Sequence, residues 1–487
     1  MPSSARTKSL FMAARHAVVV GASISGLVAA RVLSSRFDLV TIIDRDSLPF
    51  PIENRRGVPQ GNHGHGLLAS GLRALSTLFP GLEQELIDGG AIPGDVIGDV
   101  RWFQQGYYKA KFASDFRGLL LSRPLLEGSM RRLVRALPNV VVLDRAHVTG
   151  LATDPTRQFV TGVLVQRADG TAAIVHGALV VDASGRSSRS PQWLEELGYE
   201  VPATETVAVD LGYTTRTFKR RSHDLNGDIG AMVGPLPPLK KRVGFMLAME
   251  QDRWMVTIGG WLGDHAPKDL RDYVEFARSL TRPDIYDVIK DAEPLTEAVT
   301  YSFPSNLRRR YEHVSRFPDG YLVMGDAMCS FNPFYGHGMS VAALEAQALE
   351  HVLDSNASVR GAWRPFFKAA ADIIETPWAI AAGSDFAFPG VQGRKPAGTD
   401  VINWYLARVH RVASSDRELC RTFFDVANLL KPATTLFHPR VVARVVKGLL
   451  WSTAPSQQME SPARNDSHRR NVEPSVSTRG LMGTRSR

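Results

Sequence analysis

Cysteine is scarce in this chain of 487 residues: Cys329 and Cys420 are its whole supply. Two thiols build neither a disulfide framework nor a multi-cysteine metal centre, and they suit a reducing cytoplasm. Long apolar runs are missing as well. None approaches the roughly 18–20 residues of a membrane-spanning helix, and the N-terminal residues lack the apolar core of a signal peptide. Acidic residues are absent from positions 1–15, which hold Arg6, Lys8 and Arg15 and read as a flexible extension; Met12, just ahead of the first strand, is a second candidate start. The tail 453–487 has six arginines, three acids and little apolar content, and is expected to be disordered. Part of the excess of 58 basic over 49 acidic residues sits at these ends, so the net charge of +9 argues for no nucleic-acid partner. The whole chain is 44% apolar and 22% charged, a soluble globular composition. Its length predicts two or three domains with a large buried core.

What is present begins at His16. The β-branched run Val18-Val19-Val20 ends in a turn carrying Gly21, Ser23 and Gly26, and a helix of small residues (Ala29, Ala30, Leu33) follows. A second apolar run, Leu39 to Ile43, ends on Asp44. This is a βαβ unit with a G-x-S-x-x-G turn, one substitution from the dinucleotide fingerprint. Gly21 permits the turn, Ser23 keeps the backbone small beside a pyrophosphate, and Gly26 lets helix pack on strand. The helix N-terminus offers free N–H groups to phosphate. Asp44 follows at about the 20-residue spacing at which a carboxylate reaches ribose hydroxyls. The unit predicts a bound ADP moiety; the alternative is an ordinary βαβ turn.

Three further segments suit the same ligand. In ALVVDASGRSSR (178–189) an apolar strand runs into Asp182. In GYLVMGDAMCSFNPFYGHGMSVAA (320–343) a strand ends in Gly325-Asp326, a Pro/Gly loop follows, and Met339, Val341, Ala342, Leu344, Leu349 and Val352 have helical spacing. In LSRPLLEGSMRRLV (121–134), Arg123 precedes Pro124 at a helix start. Taken singly, Asp182 or Asp326 is also what an N-cap would look like.

Together, GASISG, Arg123, DASGRSSR and GDAMCSFNPFYGHGMS resemble the flavoprotein monooxygenases typified by p-hydroxybenzoate hydroxylase. NRRGVPQGNHGHGLLASG (54–71) with NPFYGHGMS is similar to the bacterial flavin epoxidases of polyether biosynthesis, which are related to squalene epoxidase and geranylgeranyl reductases. The resemblance spans roughly 17–353. It implies that Gly21, Ser23 and Gly26 cradle the FAD pyrophosphate and that Asp44 holds the adenosine ribose with Arg45 beside it. Arg123 would reach the phosphate or ribityl region, Asp326 the ribityl and pyrophosphate part, and Asp182 of the middle motif would contact cofactor. Pro333, Gly336, Gly338 and Met339 would face the isoalloxazine, where a helix N-terminus stabilises negative charge on the reduced ring. Gln60 and His337 are the flavin-side catalytic candidates. The middle motif reads D-A-S-G rather than D-G, and Cys329 stands where His often follows G-D-A. His63 and His65 alternate with glycine, but no third ligand accompanies them and the family binds no metal, so no metal site is expected.

The resemblance implies an α/β (α+β) fold: a Rossmann-like FAD-binding domain interleaved with an antiparallel-sheet substrate domain, plus C-terminal helices. The FAD-binding pieces are expected at 16–75, 105–190 and 301–355, the substrate domain at 76–104 and 191–300, and the helical region at 356–452. Alternating runs at 207–213, 243–249 and 254–261 predict the antiparallel sheet. Its Phe245, Leu247, Met249, Trp254 and Trp261 are candidates for an apolar pocket or plain sheet core. Arg308, Arg309, Arg310 and Tyr311 read as a solvated or interface face, with a flavin-side role open to one arginine. The stretch FHPRVVARVVKGLLW reads as a docked amphipathic helix, or as a weak peripheral membrane contact.

The implied activity is an FAD-dependent monooxygenase: NAD(P)H reduces FAD, O2 adds at C4a, and the hydroperoxide passes one oxygen to a hydrophobic polyketide- or terpenoid-like substrate by epoxidation or hydroxylation. The alternatives are an FAD-dependent reductase or dehydrogenase of an isoprenoid double bond, and a non-redox cyclase or binding protein that holds FAD.

Overall fold

The chain is seen in a computed structural model that describes residues 15–48, 54–55, 57–356 and 358–451. The tail 453–487 and nearly all of the expected extension 1–15 lie outside these residues.

The run Ala17–Val20 forms the middle of a five-stranded parallel sheet. The strand order is Tyr321–Val323, Leu179–Asp182, His16–Val20, Leu39–Ile43, Val140–Leu143. Parallel strands are covered on both faces, which is why they read as unbroken apolar runs; Ala17, Val18 and Val19 are fully buried. The helix Ile24–Ser34 that follows buries residues around most of its circumference. It is clasped between the sheet, the helix Arg123–Arg135 and the helix Gly338–Ser355, a setting that calls for a helix apolar on all sides.

Period-2 patterning produces the second layer. Thr204–Lys219 is the spine of a large, mainly antiparallel sheet, paired with Arg253–Gly260 on one side and Val299–Arg309 on the other. That sheet continues through Arg242–Met249 and Gly230–Val233 to Val100–Gln104 and Tyr107–Tyr108. The boundary expected between 300 and 301 falls inside the single strand Val299–Arg309, and residues 107–108 stay in the same sheet as 100–104. Strand pairing, which composition does not reveal, decides both. A separate three-stranded antiparallel sheet, 146–153, 160–167 and 172–176, is inserted between the parallel strands Val140–Leu143 and Leu179–Asp182.

After the long helix Trp363–Asp385 come Thr399–Val412, Arg417–Ala427 and Pro439–Trp451. Their core gathers Val409, Val412, Leu419, Cys420 and Phe424 with Ile97 and Phe116. Pro439–Trp451 packs on Thr399–Val412, with Gly448 against Val412 and Val445 buried. Among the described residues no helix is long and apolar enough to cross a membrane.

One close approach sets the geometry of the first turn. A Cβ on Gly26 would lie 1.8 Å from the carbonyl oxygen of Gly21, a backbone atom that cannot yield. We therefore expect Gly26→Ala to cost roughly 2 kcal/mol or more. Gly383→Ala, in a helix with open space at its Cβ, should be neutral or gain up to about 1 kcal/mol. Thermal or urea unfolding of the two variants checks the contrast; equal effects would refute it.

Candidate functional site

Strand register brings the distant motifs to one edge. Val20 is the partner of Ile43 and of Asp182, and Asp182 is the partner of Val323. The residues that leave these strands, Gly21, Asp44, Ala183 and Met324-Gly325, therefore emerge along a single row, the C-terminal edge where open α/β sheets bind ligands. A cavity of about 370 Å³ opens along it. Its lining includes Gly21, Ser23, Asp44, Arg45, Gln60, Arg123, Asp326, Pro333, Gly336, His337, Gly338 and Met339.

Two predicted positions do not line it. Gly26 serves the helix–strand approach described above. Asp182 is fully buried beneath the edge and accepts from Ser184 N at 2.9 Å and Ser188 Oγ at 2.5 Å, and also from Ser190 Oγ. It caps its own turn, so the expected cofactor contact of this residue is corrected: Asp182 is still the last residue of its strand, in the row of Ile43 rather than of Asp44, and its carboxylate stays in the core.

At the fingerprint, Gly21 has φ +103°, and a Cβ there would lie 2.6 Å from the Ala183 carbonyl oxygen. Ser23 is extended (φ −91°, ψ −171°), a conformation that needs no glycine. Its hydroxyl turns aside to donate to Glu127 Oε2 at 3.0 Å and accept from Arg123 Nη2 at 3.0 Å. The irregular residue of the motif is thus tied to the helix Arg123–Arg135, whose own N-cap Ser122 accepts from Leu125 N.

Glu127 is the hub of a charge cluster that the sequence reading missed. It is 4% exposed and meets Arg55 at 2.5 Å, Arg131 at 3.0 Å and Arg123 at 3.3 Å. Burial opposes its charge, but the three guanidinium groups hold its pKa below the usual carboxylate value. Arg55 also approaches Asp44 at 3.5 Å and Asp46 at 3.6 Å. Three arginines and three carboxylates thus form one cluster beside the start of the first helix, with Arg55 joining Glu127 to the second strand end. The spacing R-x-x-x-E-x-x-x-R on one helical face was a usable signal.

Asp44 accepts from Ala22 N at 2.7 Å and Asp46 N at 2.8 Å, which fixes the carboxylate at the cavity rim. Asp326 lies against the start of the helix Gly338–Ser355: a Cβ on Gly338 would sit 3.5 Å from its Oδ1. Burial raises the pKa of Asp326, against the pull of Arg123 and Arg186. Below it, Glu345 of that helix accepts from Gly325 N at 2.6 Å; burial, then the charge of Asp326, pushes its pKa up to about 8. Arg309 is buried and donates to the Ala327 carbonyl at 2.7 Å, and Arg308 is 2% exposed. The expected solvated arginine face is therefore largely interior, because the strand Val299–Arg309 is covered by helix Trp363–Asp385 and the turn 325–327.

Beyond the loop the wall is aromatic, formed by Tyr213, Tyr301, Phe303 and Phe331 together with His65. None of Phe245, Leu247, Met249, Trp254 or Trp261 lines it; Trp254 and Trp261 are wholly buried core. Burial brings the pKa of His337 down to about 3, and burial with the charge of Arg123 does the same for His65. Both are neutral imidazoles. His63 bonds Thr215 Oγ1 through Nδ1 at 2.8 Å, and His65 Nδ1 meets the His63 carbonyl at 2.8 Å. Cys329 is buried and not part of the lining.

The donor set fits FAD. A glycine-walled helix start with Arg55 and Arg123 suits a pyrophosphate, a fixed carboxylate at the second strand end suits a ribose, and the loop 333–339, with Gly336 at φ +70°, brings backbone close enough for a flat ring.

Compared with known proteins, the chain is 33% identical over 393 residues to protein Rv3254 of Mycobacterium tuberculosis (strain ATCC 25618 / H37Rv), covering 77% of this chain and 80% of that protein. No protein-family model matches. Among solved structures, the flavoprotein/dehydrogenase from Cytophaga hutchinsonii is similar with a TM-score of 0.62 at 15% identity, over 89% of this chain and 98% of that one. The p-nitrophenol 4-monooxygenase PnpA from Pseudomonas putida DLL-E4 gives 0.60 at 18% identity, over 85% and 98%. PqsL from Pseudomonas aeruginosa, a probable FAD-dependent monooxygenase, gives 0.54 at 15% identity, over 84% and 99%. At these identities the likeness is one of fold, and the α/β class with a parallel and an antiparallel sheet is the one expected.

Removing the hub carboxylate strands three buried cations. Glu127→Ala should cost about 3–5 kcal/mol, read by urea unfolding; a loss below about 1 kcal/mol would show that the cluster does not depend on it.

Proposed function

The chain belongs to the family of protein Rv3254, and from that premise we propose that it is an FAD-dependent monooxygenase of the cytoplasm, taking NAD(P)H as reductant and O2 as oxidant. One observation supports the reading: the fingerprint turn, Asp326 and the loop 333–339, more than 300 residues apart at their extremes, line one cavity. FAD, when bound, supplies the redox chemistry and the activation of oxygen.

The protein's part follows from its residues. Arg55, Arg123 and the first helix would hold the pyrophosphate. The N-terminus of Gly338–Ser355 would stabilise negative charge on the pyrimidine edge of the reduced ring. The buried loop around Asn332 and His337 would keep water from the reacting face. His65 and His337, with pKa values near 3, are poor bases at neutral pH. A substrate that must first lose a proton gains nothing from them. An aromatic wall without a competent base supports oxygen transfer to an apolar, electron-rich molecule, by epoxidation of a polyketide- or terpenoid-like alkene or by hydroxylation.

Purified protein should carry extractable FAD, and NAD(P)H oxidation should accelerate with a hydrophobic alkene; product carrying oxygen from 18O2 establishes oxygenation, whereas a saturated product formed under nitrogen makes the protein a reductase. Asp326→Ala should cut flavin per polypeptide about tenfold, as the loss of a hydrogen bond to a charged group predicts, and Gly21→Val at least as much, because its side chain would meet the Ala183 carbonyl at a backbone φ of +103°. Wild-type loading in both would remove the assigned site.

A further inference from the structure

Behind the flavin-facing loop lies a buried acid that the proposed mechanism does not use. Asp385, the last residue of helix Trp363–Asp385, is wholly inaccessible to solvent. Four side chains donate to it. Trp261 Nε1 reaches Oδ1 at 3.0 Å, Asn306 Nδ2 reaches Oδ2 at 2.7 Å, Asn332 Nδ2 reaches Oδ1 and Oδ2 at 3.0 and 3.2 Å, and the Tyr335 hydroxyl reaches Oδ1 at 3.1 Å. Two of the four donors, Asn332 and Tyr335, belong to the loop itself.

The other two connect that loop to the antiparallel sheet. Asn306 of strand Val299–Arg309 accepts from Asn332 N at 2.6 Å while donating to Asp385. Trp261, just past strand Arg253–Gly260, packs edge-on against Phe334 of the loop and stacks on Phe388. Asn332 then accepts from Phe334 N at 3.1 Å, so the network passes from the helix end through one side chain into the loop backbone. We infer that Asp385 is the positioning residue that fixes the loop Asn332–His337 against the flavin ring, through the hydrogen bonds of Asn332 and Tyr335.

An ionised carboxylate is the one side chain of this size that only accepts, on both oxygens at once. Asparagine in its place would turn an N–H toward Asn306 and Asn332, which offer N–H groups themselves. No ion pair reaches Asp385 among the described residues, so its charge is balanced by neutral donors alone. Burial pushes its pKa up to about 6, and the four donors pull against that shift, so the acceptor-only form prevails at neutral pH. A buried charge without a counter-ion is an expensive way to hold a helix end. It is an effective way to hold a loop whose position must not drift, because four donors from three chain segments converge on one rigid group. The geometry of the loop supports this: Asn332 and His337 are buried and line the cavity on one side, while Phe334 and Tyr335 face the anchor on the other.

The inference rests on the flavin reading for what the loop faces, and not for the anchoring. The test uses the full-length protein, with and without added FAD, as wild type, Asp385→Asn and Tyr335→Phe. Hydrogen–deuterium exchange should rise about tenfold in Asp385→Asn over peptides covering 332–338, with the peptides of 16–34 unchanged. Tyr335→Phe should raise it less, in the same peptides. In the FAD-loaded protein, Asp385→Asn should weaken flavin binding about tenfold and alter the visible circular dichroism of the bound flavin. Wild-type exchange over 332–338 with an unaltered flavin spectrum would overturn the inference, and so would a rise spread evenly over the whole chain. Should Asp385→Asn not fold, Tyr335→Phe, which removes one hydroxyl and keeps the ring, decides by the same two readouts. If wild-type protein takes up no FAD, the flavin reading falls, and the exchange arm still tests the anchor.

Discussion

The register of the parallel sheet is the constraint on which the site depends. Val20, Ile43, Asp182 and Val323 end their strands in one row, and each turn that follows begins from that row. A slip of one residue in any strand would turn its side chains to the opposite face of the sheet and would carry Asp44 or Asp326 away from the cavity. The absence of a side chain at Gly21 and Gly26 lets the first turn close onto the sheet, and the cavity is the space that this closure leaves.

Around that space three buried acids are kept by three different means. Glu127 is ionised and surrounded by Arg55, Arg123 and Arg131. Asp385 is also ionised at neutral pH, with neutral donors from Trp261, Asn306, Asn332 and Tyr335. Glu345, its pKa pushed up to about 8 by burial and the charge of Asp326, holds the amide of Gly325. The differences follow from position. The arginine cluster lies beside the first turn, where Arg123 lines the cavity and Glu127 sets the direction of the guanidinium groups. The other two carboxyls lie under backbone, Glu345 beneath the Gly325 turn and Asp385 behind the loop 332–335, and accept from neutral donors.

Much of the site was legible because its motifs are local. Val18 to Asp44 specifies a βαβ unit within one stretch of chain, and Arg123 at a helix start, the Gly325-Asp326 turn and the loop 333–339 each carry turn or cap chemistry in adjacent residues. Asp182 misled because a strand-end acid before a glycine turn has the same appearance whether it faces a ligand or caps its own turn; the serines at 188 and 190 decide for the cap. The aromatic candidates of 243–261 misled for a related reason. Alternation marks two faces of a strand without saying which face is covered by helices, so Tyr213, Tyr301 and Phe303 form the wall while Trp254 and Trp261 lie in the core.

The sequence by itself determined the nature of the elements, the first turn and the ligand chemistry that turn suits, since these depend on backbone freedom, helix ends and side-chain spacing within a few residues. Only the tertiary structure decided which charges meet. Arg55 is 72 residues from Glu127, and Asn306 is 79 from Asp385; no periodicity links such positions. Their pairing is set by which strands lie side by side and how closely the helices pack over them, a property of the whole fold.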